Sequence, residues 1–174
     1  MARIPRLFTE QFESSLEPCV SLAVHEAGHA FAYSLYGIEV KYASIDREDV
    51  SKDMPERRGV TVINPCMMMS MLAGISIMAG PVAGSIATGK SIGNESRQDY
   101  KLLKELGDYH GWTNAQTERF TCLVTTKAHK LIALHWQTVL KIADVLAAKK
   151  RIEGWEVRKI VEGAKRERAV EPGK

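Results

Sequence analysis

The stretch VSLAVHEAGHAFAYSLYG, residues 20–37, decides the fold because three polar groups interrupt an otherwise apolar run. Its pattern favours a buried helix that ends at Gly37, a residue suited to a C-terminal cap. On such a helix His25, Glu26 and His29 would lie in the protein interior. A buried carboxylate with no cation nearby carries a large desolvation cost. The sequence therefore predicts that these three groups converge on a partner.

The order His25-Glu26-Ala27-Gly28-His29 is an H-E-x-x-H motif. Four residues make about one helical turn, so both imidazoles point to the same side and can bind one metal ion. Glu26 lies about 100° further around the axis, where it can accept a proton from a water molecule beside the metal. Zinc suits two imidazoles and one carboxylate oxygen, with the fourth position open to water. The alternative is a pair of core histidines satisfied by carbonyl groups, with Glu26 in solvent.

A third metal ligand has to come from elsewhere in the chain. The chain has no third histidine at the spacing H-E-x-x-H-x-x-G-x-x-H. Three carboxylates could lie on a second helix after the long apolar stretch: Glu95, Asp99 and Glu105. We expect Asp99, which falls in the first turn if Ser96 is the N-cap, and keep Glu95 as the alternative.

Two strands are predicted after the first helix. IEVKYASID, residues 38–46, alternates apolar and charged positions, and GVTVIN, residues 59–64, is a second short strand. The charged segment between them, with Pro55, predicts an exposed loop and an antiparallel pairing. Two strands alone are marginal, so helices must cover them.

The region between Arg58 and Lys90 contains no charged residue. It is long enough to cross a bilayer, but its glycines and Pro81 interrupt it and no aromatic residues flank it. We interpret it as a buried helix that is broken near Pro81. No membrane span is expected.

The remaining chain predicts further helices and a mainly α (α+β) fold with a small two-stranded antiparallel β element. Residues 1–174 are expected to form one domain in which residues 1–15 are a loose arm. The first helix should begin near Glu17 or Pro18 and end at Tyr36. Later helices are predicted from the N-cap Ser96 to Gly107, from Asn114 to about Arg151 after a Thr113–Gln116 capping box, and from about Trp155 to Glu162.

The composition excludes several classes of protein. The net charge is +3, and the basic clusters around Lys149 and Lys165 are interleaved with glutamates, which indicates solvated helix surface and no nucleic-acid partner. The three cysteines are far apart and unpaired in spacing, which fits a reducing compartment. The basic N-terminus is not followed by an apolar core, so a secretory signal is not expected. These features predict a cytoplasmic protein.

The motif segment LAVHEAGHAFAYSLYGIEVKYASI closely resembles the peptidase domain of the FtsH family of zinc proteases, peptidase family M41. RGVTVINP, MLAGISIMAGPVAGSIATGK, ESRQDYKLLKEL and VLKIADVLAAKKRIEGWEVRKIVE resemble further segments of that family, so the likeness covers roughly residues 18–163. It implies His25 and His29 as zinc ligands, Glu26 as general base and Asp99 as third ligand. The family's membrane helices and ATPase module are not expected here. GSIATGKS, residues 84–91, has the letters of a phosphate loop, but a predicted helix precedes it where a strand is required.

Together these features predict zinc-dependent hydrolysis of peptide bonds in flexible or unfolded protein segments, without an ATPase of its own. The strand Ile38–Ile45 was the expected edge for an extended substrate, and Tyr42 and His110 are candidates for contacting the oxyanion. One alternative is a metal-stabilised interaction domain without turnover. Another is a protease dedicated to one regulatory partner. The sequence does not encode the oligomeric state.

Overall fold

A computed structural model of the protein describes residues 18–46, 48–49, 59–64, 70–93 and 96–170. The predicted N-terminal arm, Glu95 and most of the charged loop lie outside these residues. The fold is mainly helical with a small antiparallel sheet, as predicted. Its elements are α1 (Pro18–Leu35), β1 (Val40–Ser44), β2 (Val60–Ile63), α2 (Ser70–Thr88), α3 (Arg97–Tyr109), α4 (Asn114–Leu134), α5 (Trp136–Lys149), β3 (Arg151–Glu153) and α6 (Gly154–Val170).

Helix α1 is the central element of the core. It packs against α2 on one side and α5 on another, and its residues from Ala23 to Ala32 are buried with the exception of His25, which is partly exposed. The helix ends at Leu35, one residue before the predicted Tyr36, and Gly37 has a positive φ of 76°, a backbone conformation that glycine adopts without a steric penalty. The motif residues are therefore held on a rigid, well-packed scaffold.

The sheet has the strand order β2-β1-β3. The predicted antiparallel pairing of the first two strands is confirmed, with Ala43 opposite Thr61. The third strand, Arg151–Glu153, was missed, since the sequence predicted helix up to about Arg151. Lys150 ends α5 in a left-handed conformation at φ 65°, which only a structure reveals for a non-glycine residue. Because β1 has a partner on both sides, its predicted role as an open edge is wrong.

Helix α2 runs without interruption through Pro81, so the predicted break is wrong. Proline removes one helical hydrogen bond, but every residue from Gly74 to Ala83 is buried, and this packing holds the helix together. By length and composition α2 is also able to cross a membrane, a property that it shares with core helices of soluble proteins. Here 56% of its apolar 18-residue window is buried inside the protein. Helices α4 and α5 are long and apolar enough to cross a membrane only if the two helices are counted together as one span across their bend.

Helix α3 ends at Tyr109 and not at the predicted Gly107. Gly107 is buried where a Cβ atom would collide with the side chain of Thr117 on α4, so this glycine serves close packing. The turn is made by Gly111 at φ 68°. The predicted capping box at the start of α4 is confirmed: the Thr113 side chain accepts a hydrogen bond from the backbone N–H of Gln116, whose side chain accepts one from the N–H of Thr113.

The predicted long helix from Asn114 is two helices that meet at His135 at an angle of 82°. No glycine or proline marks this bend. Arg168 of α6 donates a hydrogen bond to the carbonyl of Leu134 and approaches Nε2 of His135 at 3.3 Å. Burial and the positive charges of Arg168 and Lys165 lower the pKa of His135, which favours the neutral ring that can accept from Arg168. The helix end is thus satisfied by a residue remote in sequence.

The contact between α1 and α2 depends on Gly28. A Cβ atom there would lie 2.5 Å from the carbonyl oxygen of Ala79 and 2.8 Å from Cβ of Ala83. We expect Gly28→Val to force the two helices apart and to lower the free energy of unfolding by about 2–3 kcal/mol. Urea unfolding measures this. The control is Gly163→Val in α6, where no atom lies within 4 Å; its effect should stay within about 0.5 kcal/mol. Equal effects of both substitutions would contradict the proposed close contact.

Candidate metal centre

Helices α1 and α3 bring together the three predicted metal ligands. Nε2 of His29 lies 3.1 Å from Nε2 of His25. The Asp99 carboxylate reaches both rings, with 3.5 Å from Oδ2 to Nε2 of His25 and 3.3 Å from Oδ1 to Nε2 of His29. Among the described residues this is the cluster of histidine, cysteine and acidic side chains arranged to hold a metal ion. Asp99 sits in the first turn of α3, as expected from the sequence.

The donor set fits a zinc ion in chemistry and in spacing. Zinc binds imidazole nitrogens and carboxylate oxygens at about 2.0–2.1 Å. Donors at that distance around a tetrahedral ion are about 3.3–3.4 Å from one another by geometry. The two imidazole nitrogens are 3.1 Å apart, and they lie 3.5 and 3.3 Å from different oxygens of the Asp99 carboxylate, so each pair of residues is separated by about this distance. Three protein ligands leave one tetrahedral position for water or substrate, which is the arrangement of catalytic zinc sites.

Helix α2 fixes the orientation of His29. Its Nδ1 lies 2.9 Å from the carbonyl oxygen of Ser76, so Nδ1–H donates there and Nε2 is left to face Asp99 and His25. Gly80, one turn further along α2, lies so close to the His29 ring that any Cβ atom would overlap it. One of the glycines that interrupt the apolar stretch therefore makes room for a predicted metal ligand.

The electrostatics of the cluster favour positive charge between the two rings. Burial by itself lowers the pKa of His29, but the Asp99 carboxylate, aided by Glu26, outweighs it and raises the pKa to about 9. Burial would raise the pKa of Asp99, yet the two histidines hold it well below its usual range. His29 and Asp99 are 8% and 7% exposed. The carboxylate thus compensates a charge at the imidazoles, whether that charge is a proton or a dication.

Glu26 lies next to this group and is not part of it. The residue is 5% exposed, and Oε2 of its carboxylate accepts a hydrogen bond of 2.8 Å from Oγ1 of Thr61 on β2. It follows the predicted metal ligand His25 directly on α1, and its carboxylate is one of the charges that raise the pKa of His29. This is the placement predicted for a general base: beside the metal ligands, in a water-poor surrounding, with its orientation fixed by a neighbour.

Other predicted candidates lie elsewhere. The ring of Tyr42 is covered by the guanidinium of Arg151 at 3.7 Å, and His110 hydrogen-bonds to Ser70 and stacks on Trp112. Neither belongs to the metal cluster. Glu105 is exposed and pairs with Lys101, so it is not a ligand, and Glu95 lies outside the described residues.

The segment with the letters of a phosphate loop, residues 84–91, begins inside α2. Its residues 84–88 are helical, whereas a phosphate loop follows a β-strand. The expectation that this segment does not bind nucleotide phosphate rests on that difference in local structure.

Sequence reasoning missed the residues that support the site: Ser76, Gly80, Gly59 and Thr61. Ser76 acts through its backbone carbonyl, so no side-chain signal could reveal it. For Gly59 and Thr61 a signal existed, because residues two apart on a strand face the same side. The sequence alone did not indicate that this face of the strand lies against Glu26.

Compared with models of protein families and with curated proteins, this chain gives no match. The resemblance to the FtsH peptidase family therefore rests on the motifs quoted above and stays a prediction.

Proposed function

We propose that this protein is a zinc-dependent peptidase. The observation that carries the proposal is the convergence of His25, His29 and Asp99, from two different helices, next to the buried carboxylate of Glu26. A zinc site that only stabilises a fold is closed by a fourth protein ligand. Here the three ligands are accompanied by a group suited to moving protons, which favours hydrolysis.

The chain's own residues divide the work between binding and proton transfer. His25, His29 and Asp99 would hold the metal, and the Ser76 carbonyl keeps His29 in the required tautomer. When bound, zinc supplies Lewis acidity toward a carbonyl oxygen and makes water a stronger acid. Glu26 accepts a proton from the attacking water and returns it to the leaving amine. Glu26 is 5% exposed, with Thr61 and Gly59 packed against its carboxylate, and this exclusion of bulk solvent strengthens these interactions.

The strand that we propose for substrate docking is β2, in place of the predicted β1. β1 is paired on both sides, whereas β2 is the outer strand on the side of the sheet that contacts Glu26. Within the described residues β2 pairs with β1 alone. An extended peptide added along its free side would place its backbone next to the general base, in a mode that tolerates many sequences. We propose a flexible or unfolded protein segment as the substrate.

Metal removal tests the proposal directly. The purified protein should contain close to one zinc ion per chain and should cleave an unfolded protein such as reduced, alkylated casein. A chelator should abolish cleavage, and added zinc should restore it. Zinc at 100 times its dissociation constant should also raise the free energy of unfolding by about 2.7 kcal/mol. Full cleavage in the chelated protein would contradict the proposal. Zinc binding without cleavage of any unfolded substrate would instead support the metal-stabilised domain without turnover.

A further inference from the structure

Thr61 contacts Glu26 from the sheet. Its Oγ1 lies 2.8 Å from the carboxylate oxygen Oε2 and 3.1 Å from the backbone oxygen of the same residue. A hydroxyl carries one proton and donates it to one acceptor at a time. The shorter distance and the negative charge favour the carboxylate, because hydrogen bonds to ionised acceptors are the stronger ones.

Gly59 contacts the other half of the same carboxylate. A Cβ atom on Gly59 would lie 2.7 Å from Oε1 of Glu26 and 2.8 Å from its Cγ. The backbone of Gly59 is therefore packed directly against the side chain of Glu26. Between them, Thr61 and Gly59 restrict both carboxylate oxygens.

The register of the sheet explains why Thr61 points to α1. Thr61 pairs with Ala43 on β1, and Ala43 pairs with Ile152 on β3. Cross-strand partners have their side chains on the same face, and both Ala43 and Ile152 are fully buried. Thr61 thus belongs to the buried face of the sheet, and its neighbours on β2 alternate to the other face. Thr61 itself is half-buried, and Glu26 accepts the hydrogen bond from its hydroxyl.

We propose that Thr61 is a positioning residue that, together with the absent side chain at Gly59, fixes the Glu26 carboxylate for proton transfer. This inference rests on the proposed peptidase function and assigns β2 a second role beside substrate docking. A lost hydrogen bond to a charged group that acts in the reaction should cost about tenfold to a hundredfold in rate.

The test compares four substitutions in the full chain. Thr61→Val keeps the shape and removes the donor, and Thr61→Ser keeps the donor. Gly59→Ala leaves Thr61 in place and pushes on Oε1; Gly59 has no positive φ, so alanine is compatible with its backbone. Thr126→Val on the exposed side of α4 is the matched control, since within the described part of the chain its hydroxyl donates to the carbonyl of Cys122, far from Glu26 in sequence.

Four quantities are measured: zinc content, kcat and KM on an unfolded protein substrate, and the ¹³C resonance of the Glu26 carboxyl carbon in selectively labelled, zinc-free protein. We expect Thr61→Val and Gly59→Ala to lower kcat about tenfold to a hundredfold, with KM and zinc content close to those of the parent, and to move the Glu26 resonance. Thr61→Ser should restore kcat to within about threefold of the parent, and Thr126→Val should change nothing.

Parental kcat in both Thr61→Val and Gly59→Ala, or an unmoved Glu26 resonance, would overturn the inference. Equal loss of kcat in Thr61→Val and Thr61→Ser would also overturn it. Serine keeps the hydroxyl donor, so the loss could then not be caused by the missing hydrogen bond. If Thr61→Val does not fold, Gly59→Ala decides. If the parent binds zinc and cleaves nothing, the proposed function fails, and the resonance alone then decides whether Thr61 holds Glu26.

Discussion

Replacing Glu26 by glutamine should abolish peptide cleavage and leave zinc binding intact. Glutamine has the size and shape of glutamate and can still accept the hydrogen bond from Thr61. It cannot take up a proton from water, however, and general acid–base catalysis contributes about 10²–10⁴-fold to such reactions. We therefore expect kcat to fall by about three orders of magnitude, while the zinc content and the unfolding midpoint stay close to those of the parent.

The measurement is steady-state cleavage of an unfolded protein, with metal analysis of the same preparation. Glu118→Gln on α4 is a suitable control because that residue is exposed and far along the chain from the motif. A Glu26→Gln protein that retains zinc and cleaves at the parental rate would refute the role of Glu26. If the protein is instead an interaction domain without turnover, the parent protein should bind zinc and should show no cleavage.

The ligands His25 and His29 could be predicted because their relation is local. One helical turn fixes the direction of both side chains before any tertiary contact forms. Asp99 is different: its distance from the histidines depends on how α3 packs against α2. The sequence narrowed this choice to a few carboxylates by their position after the apolar helix, and the structure brings Asp99 to both rings.

The errors share a cause, which is tertiary contact that overrides local preference. Pro81 stays inside a helix because that helix is buried along most of its length. The bend at His135 has no breaker residue and depends on Arg168, more than thirty positions away in the chain. Lys150 takes a conformation usual for glycine where the chain enters β3. None of these tertiary contacts leaves a periodic pattern of residues in the sequence from which it could be predicted.

The strand β3 also changes the functional interpretation. A sheet of two strands would leave β1 with a free edge beside the metal helix, and the substrate would be expected there. The pairing of Ala43 with Ile152 occupies that edge and leaves β2 and β3 as the outer strands. Since Thr61 of β2 contacts Glu26, this three-residue strand determines which side of the sheet serves the site.

Replacing Asp99 by alanine should remove most of the metal affinity. Asp99 is the proposed ligand from a second helix, and its carboxylate faces both histidines at 3.5 Å or less. Even groups that only orient a zinc ligand cost about 10–100-fold in affinity when removed, so loss of this charged ligand should exceed 100-fold. A competition titration with a chromophoric chelator measures the dissociation constant. Cleavage at limiting zinc should fall in parallel.

Asp108→Ala provides the matched control, because Asp108 lies on the same helix and, among the residues that the structure describes, forms an ion pair with Lys104 at the surface. It should bind zinc as the parent does, since an exposed i,i+4 ion pair contributes little. Full zinc affinity in Asp99→Ala would show that another group completes the site. The metal would then be bound by the histidines of α1 and by a group outside α3, and the proposed set of ligands from α1 and α3 would be wrong.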